Sequence, residues 1–378
     1  VAGPAGAATG GSLGRLTVSA ERIGLGSVRT DGSQTYTGTT TLSGVYAISD
    51  TVGSPAFAVN GPSILAGDVV ISNGALSGSS PGSSAATVHF GRTGMADTLE
   101  GSGRGLESLT IASTAAVAFH GAVGTSVALE AVSVMGSTIV LRDVSSIGEQ
   151  IYTGSITVSS SYVTDGARVT FDGPLALASD LVVDTTGGGS VAAGADITFE
   201  SAVSERSDQP LPLDITLTAG SGGTIDARSA LSVDALTIHT ARGVSMDDAG
   251  NRIASVTAGS VGVGGVVLRD SAGGITIRSA GVVSAGPVDV RTAAGDLVLD
   301  GSVTVTGANN DLTLATTGDF INNIGTSALG TGANGRWLVY STDPASDVRG
   351  GLEGAGFVDF KQYDTAIGEA LHGGVDEA

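Results

Sequence analysis

The sequence predicts a long β-solenoid, and three observations point to it. First, an apolar–polar–apolar triplet recurs along the chain, as in Leu16-Thr17-Val18, Leu109-Thr110-Ile111, Ile197-Thr198-Phe199, Leu236-Thr237-Ile238, Ile275-Thr276-Ile277 and Leu312-Thr313-Leu314. Side chains alternate across a strand, so the outer two residues of each triplet share one buried face. Second, the composition is that of tightly wound coils. Of 378 residues 60 are glycine, only 4% are aromatic and 14% are charged, against about 25% charged in an average globular chain. The mean hydropathy is nevertheless +0.29, too high for disorder by low hydrophobicity. Third, the triplets are regularly spaced. Leu236 to Val256 is 20 positions, Ile275 to Leu297 is 22 and Val288 to Leu312 is 24. Strands this short bury too little surface to offset their ordering entropy alone, whereas stacked coils share one core. A period of 20–24 residues gives about 13 to 15 coils, or a rod of about 60 to 70 Å at about 4.8 Å per layer.

The elements follow in order. The first 15 residues or so are rich in Gly and Ala and read as a frayed edge. Strand triplets then continue to about Asn323, joined by Asp31-Gly32, Asn73-Gly74, Asp165-Gly166, Asp172-Gly173 and Asp300-Gly301, pairs that tolerate positive φ. Ser77 to Ser84 has the composition of a flexible loop. Glu205 to Pro212 carries two prolines and should bulge out of a coil. A Gln-x-Tyr-Thr-Gly unit occurs twice, at Gln34–Gly38 and Gln150–Gly154, with its tyrosine expected to pack on a neighbouring coil. The one short helix expected lies within Thr365 to Leu371. Residues 1–330 are thus assigned to the solenoid and 331–378 to a C-terminal cap or junction. Trp337, Leu338, Tyr340, Phe357 and Phe360 supply the cap's bulk, covering strand edges that a solenoid end would leave open.

Charge and motifs narrow the function. The net charge of −20 and pI near 4.3 disfavour nucleic acid as a partner. No apolar run is long enough for a transmembrane segment, and the N-terminus has no signal-peptide pattern, so the chain reads as a mature or internal piece. There is no cysteine, so stability is expected from the stacked core alone, which fits an exported bacterial protein. The four histidines, His89, His120, His239 and His372, lack metal-ligand spacing. Gly187-Gly188-Gly189 and Gly262-Val263-Gly264-Gly265 lack the Lys of a phosphate loop and read as turns. Asp247, Asp248, Asp270 and Asp300 are the carboxylates to weigh for glycoside chemistry, but the coils offer no tryptophan and few tyrosines as sugar platforms. No catalytic, metal or cofactor site is therefore expected.

Three stretches carry a resemblance. The Gln-x-Tyr-Thr-Gly units, Gly318-Asp319-Phe320-Ile321-Asn322-Asn323 and above all Gly335-Arg336-Trp337-Leu338-Val339-Tyr340-Ser341-Thr342-Asp343-Pro344 resemble filamentous-haemagglutinin-type exoproteins of Gram-negative bacteria. Phe357 to Tyr363 is similar to the Phe-x-Gln-Tyr element that tends to follow. The resemblance is tight over roughly residues 318 to 363 and loose elsewhere. It implies a right-handed parallel β-helix, two-partner secretion through an outer-membrane transporter, and an extracellular or cell-surface adhesin role. The family's N-terminal Asn-Pro-Asn-Gly-type secretion motifs are not recognisable here. The expectation is a non-enzymatic stalk or binding rod whose receptor, glycan or sibling fibre is unnamed. The rivals are a carbohydrate-active β-helix enzyme and a self-associating fibre subunit.

Overall fold

The computed structural model describes residues 13–48, 54–73, 86–206, 212–271, 273–343 and 345–352. Within them the chain forms 28 strands, no helix, and one continuous sheet wound as a parallel β-solenoid of about 14 turns. The strand ladders are parallel, as in Leu16–Leu25 on Gln34–Ile48 and Leu312–Thr316 on Trp337–Tyr340. An isolated bridge, Asp165 to Thr186, is antiparallel.

The triplets explain the winding. In Ile275–Ser284 the side chains of Ile275 and Ile277 are buried, and they align with the equally buried Leu297 and Leu299 of the next coil. Leu312 and Leu314 stack on Val288 and Val290 in the same way. The middle residues, Thr276, Val298 and Thr313, are half-exposed. A fully buried Leu or Ile contributes about 1.5–3 kcal/mol. That is modest per strand, but it accumulates along one core running from Ile23 to Leu352.

Coil length is less uniform than the 20–24-residue spacing predicts. Aligned positions are 18 residues apart between Val132 and Gln150, 28 between Val169 and Ile197, and 31 between Phe57 and Val88. In the second half the spacing is tighter, 19 to 26 residues from Asp214 onward, with 22 from Val266 to Val288 and 24 from Val288 to Leu312. A coil needs only its inward residues in register, so extra residues leave at corners without disturbing the ladder. The turn at Thr185–Asp196 is one such exit. Its three glycines, Gly187, Gly188 and Gly189, all have positive φ, as turn residues should. The Ser77–Ser84 stretch and the Thr365–Leu371 segment lie outside the described residues, as does most of Glu205–Pro212.

The Gln-x-Tyr-Thr-Gly units are built into the core. Gln34 is fully buried, and its Nε2 donates to Thr30 Oγ1 and to the Ala47 carbonyl, both at 3.1 Å. Its Oε1 accepts from the Tyr36 hydroxyl at 3.0 Å. Gln150 repeats this arrangement, donating to Ser146 Oγ at 3.1 Å and the Val163 carbonyl at 2.9 Å, and accepting from Tyr152 at 3.1 Å. The closing glycine turns the corner at φ +140° for Gly154, and a Cβ there would collide with the Gly136 carbonyl of the coil below. The tyrosines pack on neighbouring coils as expected. Tyr152 stacks on Phe171 with ring centroids 5.5 Å apart, and Phe171 on Phe199 at 5.4 Å.

Candidate functional site

The flank carboxylates are held by structural bonds. Asp247 pairs with Arg269 at 3.1 Å, Arg269 also reaches Asp289 at 3.0 Å, and Arg291 closes on the same Asp289 at 2.7 Å. This ion-pair ladder clips successive coils together on the outer face. Asp248 Oδ1 accepts from the Gly250 backbone N–H at 2.7 Å, forming a turn. Asp270 is buried, and it accepts from the Ile253 backbone N–H and the Thr292 hydroxyl, both at 3.0 Å. Asp300 accepts from the Asn323 side chain at 2.8 Å. Each of the four thus holds a turn or a rung. Among the described residues, no group of three or more His, Asp or Glu converges to hold a metal ion.

His89 and His120 come together although 31 positions separate them. Their rings lie parallel, with centroids 6.1 Å apart, on adjacent coils. Burial, and then the charge of His120, push His89 below the ordinary histidine value. The spacing of irregular coils hid this pair from the sequence; its only trace is that each histidine sits beside a strand phenylalanine, Phe90 or Phe119. Nearby, the Arg92 guanidinium holds the Asp97 carboxyl below the usual carboxylate range. His239 is exposed on its strand, and His372 lies outside the described residues.

A shallow cleft of about 230 Å³ opens beside the stretch predicted to bulge. Glu205, Pro212, Ser232, Asp234 and Arg252 line it. Glu205 spends one carboxylate oxygen on the Leu213 backbone N–H at 2.8 Å, and Asp234 lies 3.7 Å from Arg278. No aromatic ring lines this cleft. Among the described residues, every phenylalanine and every tyrosine but Tyr340 is buried in the core.

At the C-terminal end, Trp337–Tyr340 is a rung stacked in register on Leu312–Thr316. Trp337 and Val339 align with the inward Leu312 and Leu314 and lean on the core, while Leu338 and Tyr340 take the outward positions. All four are half-exposed. The ladder continues past residue 330, since Ile321 bridges Val348 and Leu352 is buried. Phe357 and Phe360, expected to cover this strand, lie outside the described residues. No helix among the described residues is long and apolar enough to cross a membrane. No family model, no curated protein and no solved structure matches this chain.

Proposed function

We propose that this chain is a non-enzymatic, extracellular β-solenoid segment of a bacterial surface exoprotein, acting as an extended stalk or binding rod. The carrying observation is where the chain invests its chemistry. Of the carboxylates weighed for catalysis, Asp247, Asp270 and Asp300 tie coil to coil and Asp248 holds a turn, while the aromatic rings from Tyr36 to Phe320 fill the core. A parallel solenoid suits a spacer because each coil needs only its neighbours to fold, so length extends without new long-range contacts. The resemblance of Gly335 to Pro344 to filamentous-haemagglutinin-type exoproteins supports secretion through an outer-membrane transporter and an adhesin role.

The test is a screen of uronate polymers and neutral glycans. Product is read as reducing ends and as absorbance of unsaturated sugars. The reading predicts retention of cells or glycans by protein-coated beads without product release. Reproducible product that disappears in Asp300→Asn would make the chain a carbohydrate-active enzyme instead.

A further inference from the structure

Asp343-Pro344 is the one Asp-Pro bond in the sequence, and it lies just beyond the strand Trp337–Tyr340. Both flanks of the bond are pinned to the coil below. Thr342 Oγ1 donates to the Thr317 carbonyl at 2.8 Å. On the far side Asp347 accepts from the Phe320 N–H at 2.8 Å and from the Ser341 hydroxyl at 2.7 Å. Between these anchors the backbone folds over the Asp343 carbonyl. That oxygen accepts from the Ser346 N–H at 3.1 Å, and the Ser346 hydroxyl lies 2.9 Å from it. The same hydroxyl lies 2.6 Å from Asp319 Oδ1, so its single proton serves one acceptor at a time. The Asp343 carboxylate is turned along the chain, with Oδ1 accepting from the Ala345 N–H at 3.0 Å.

These are the parts of an acyl-transfer site. A carbonyl held by a fixed N–H, with a hydroxyl beside it, is polarised toward attack. The Asp343 carboxyl is tethered next to its own carbonyl carbon, so the attack is intramolecular. Proline supplies the leaving group, since its amide nitrogen is tertiary and departs as a secondary amine. We propose that Asp343 cleaves its own peptide bond to Pro344. The Oδ2 carboxylate oxygen adds to the Asp343 carbonyl carbon, the C–N bond to Pro344 breaks, and the proline nitrogen takes a proton from solvent. Asp343 is left as a cyclic anhydride, which one water opens to two carboxyl groups. Water is the only co-reactant, and Asp343 is exposed to it. The cut falls just after the Trp337–Tyr340 rung and severs the chain between the solenoid and residues 344–378. It does not depend on the stalk reading, because the chemistry belongs to this turn alone.

The test incubates the whole chain at about pH 5, where a proton for the leaving nitrogen is at hand, and reads intact mass under denaturing conditions. Fragments 1–343 and 344–378 should accumulate. Hydroxylamine present during the incubation should trap the anhydride and leave a hydroxamate on Asp343. Unfolding the chain in urea should slow cleavage about tenfold or more, because it takes the Ser346 N–H away from the carbonyl. Asp343→Glu keeps the charge but lengthens the tether, and should abolish cleavage. A parent chain that stays intact would overturn the proposal. So would cleavage as fast in urea as in the folded chain, or cleavage that yields no hydroxamate. Those three outcomes need no variant to fold. Undiminished cleavage in a folded Asp343→Glu would overturn it as well.

Discussion

The two halves of the solenoid solve the same packing problem with different side chains. From Tyr36 to Phe199 the core holds nine aromatic rings, arranged as two sets of stacked and edge-on contacts around Tyr36–Tyr46–Phe57–Phe90–Phe119 and Tyr152–Tyr162–Phe171–Phe199. From residue 200 to 319 there is no Phe, Tyr or Trp at all. That half stacks Val, Leu, Ile and Ala, and clips its outer face with the Asp247–Arg269–Asp289–Arg291 ladder. Coil lengths run from 17 to 40 residues in the first half, and are 22 and 24 between Val266 and Leu312. The contrast teaches that a solenoid core tolerates bulk if each ring finds a ring above or below it. Gln34 and Gln150 supply the acceptors for two of the ring hydroxyls, those of Tyr36 and Tyr152.

The harshest way to break this comparison is a charge in the core. Leu299→Asp buries an unpaired carboxylate between Ile277 and Asn322 and should leave the aliphatic half unfolded by circular dichroism. A variant that melts like the parent would mean the inward register is misassigned. Next come the cavities. Phe171 touches Tyr152, Tyr162 and Phe199, so Phe171→Ala should cost about 3–5 kcal/mol in chemical denaturation. Leu299→Ala should cost about 2–5 kcal/mol. A clearly larger loss for leucine would deny the rings their place as the main filler of the first half. Gln150→Leu strands the Tyr152 hydroxyl without its acceptor and should cost about 1–3 kcal/mol. Gln34→Leu should match it, because the network is the same.

The smallest expected effect is electrostatic. The folded chain holds His89 below its ordinary value of 6.5, so the unfolded chain binds that proton more tightly. Stability should therefore fall as pH drops through 6.5, and His89→Gln should flatten that part of the melting-temperature profile. An unchanged profile would mean that neither burial nor the neighbouring His120 holds His89 down.

Much of the fold was legible because strand alternation is local. A triplet such as Ile275-Thr276-Ile277 announces its inward face without knowing its neighbour, and the doubled Gln-x-Tyr-Thr-Gly unit announces a repeated corner. What sits above what was less legible. Loops such as Thr185–Asp196 add residues invisibly to the ladder, so neither the His89–His120 stack nor the partners of Asp270 could be read from spacing. The aromatic cluster at Trp337–Tyr340 was legible as bulk. Its fit as an in-register rung was not, since it carries large residues on both faces.

The central claim, one uninterrupted stack of parallel coils, yields to a distance measurement. The chain has no cysteine, so introduced pairs can be spin-labelled without background. Thr170, Thr198, Asp226, Ser245, Val267, Asp289 and Thr313 occupy consecutive rungs of one outward column. Thr170→Cys with Thr313→Cys should give one narrow distance near 29 Å, at about 4.8 Å per rung. Ser133 lies two rungs further along the column, so Ser133→Cys with Thr313→Cys should move the peak to about 38 Å. A broad distribution, or a second pair no longer than the first, would contradict the continuous solenoid.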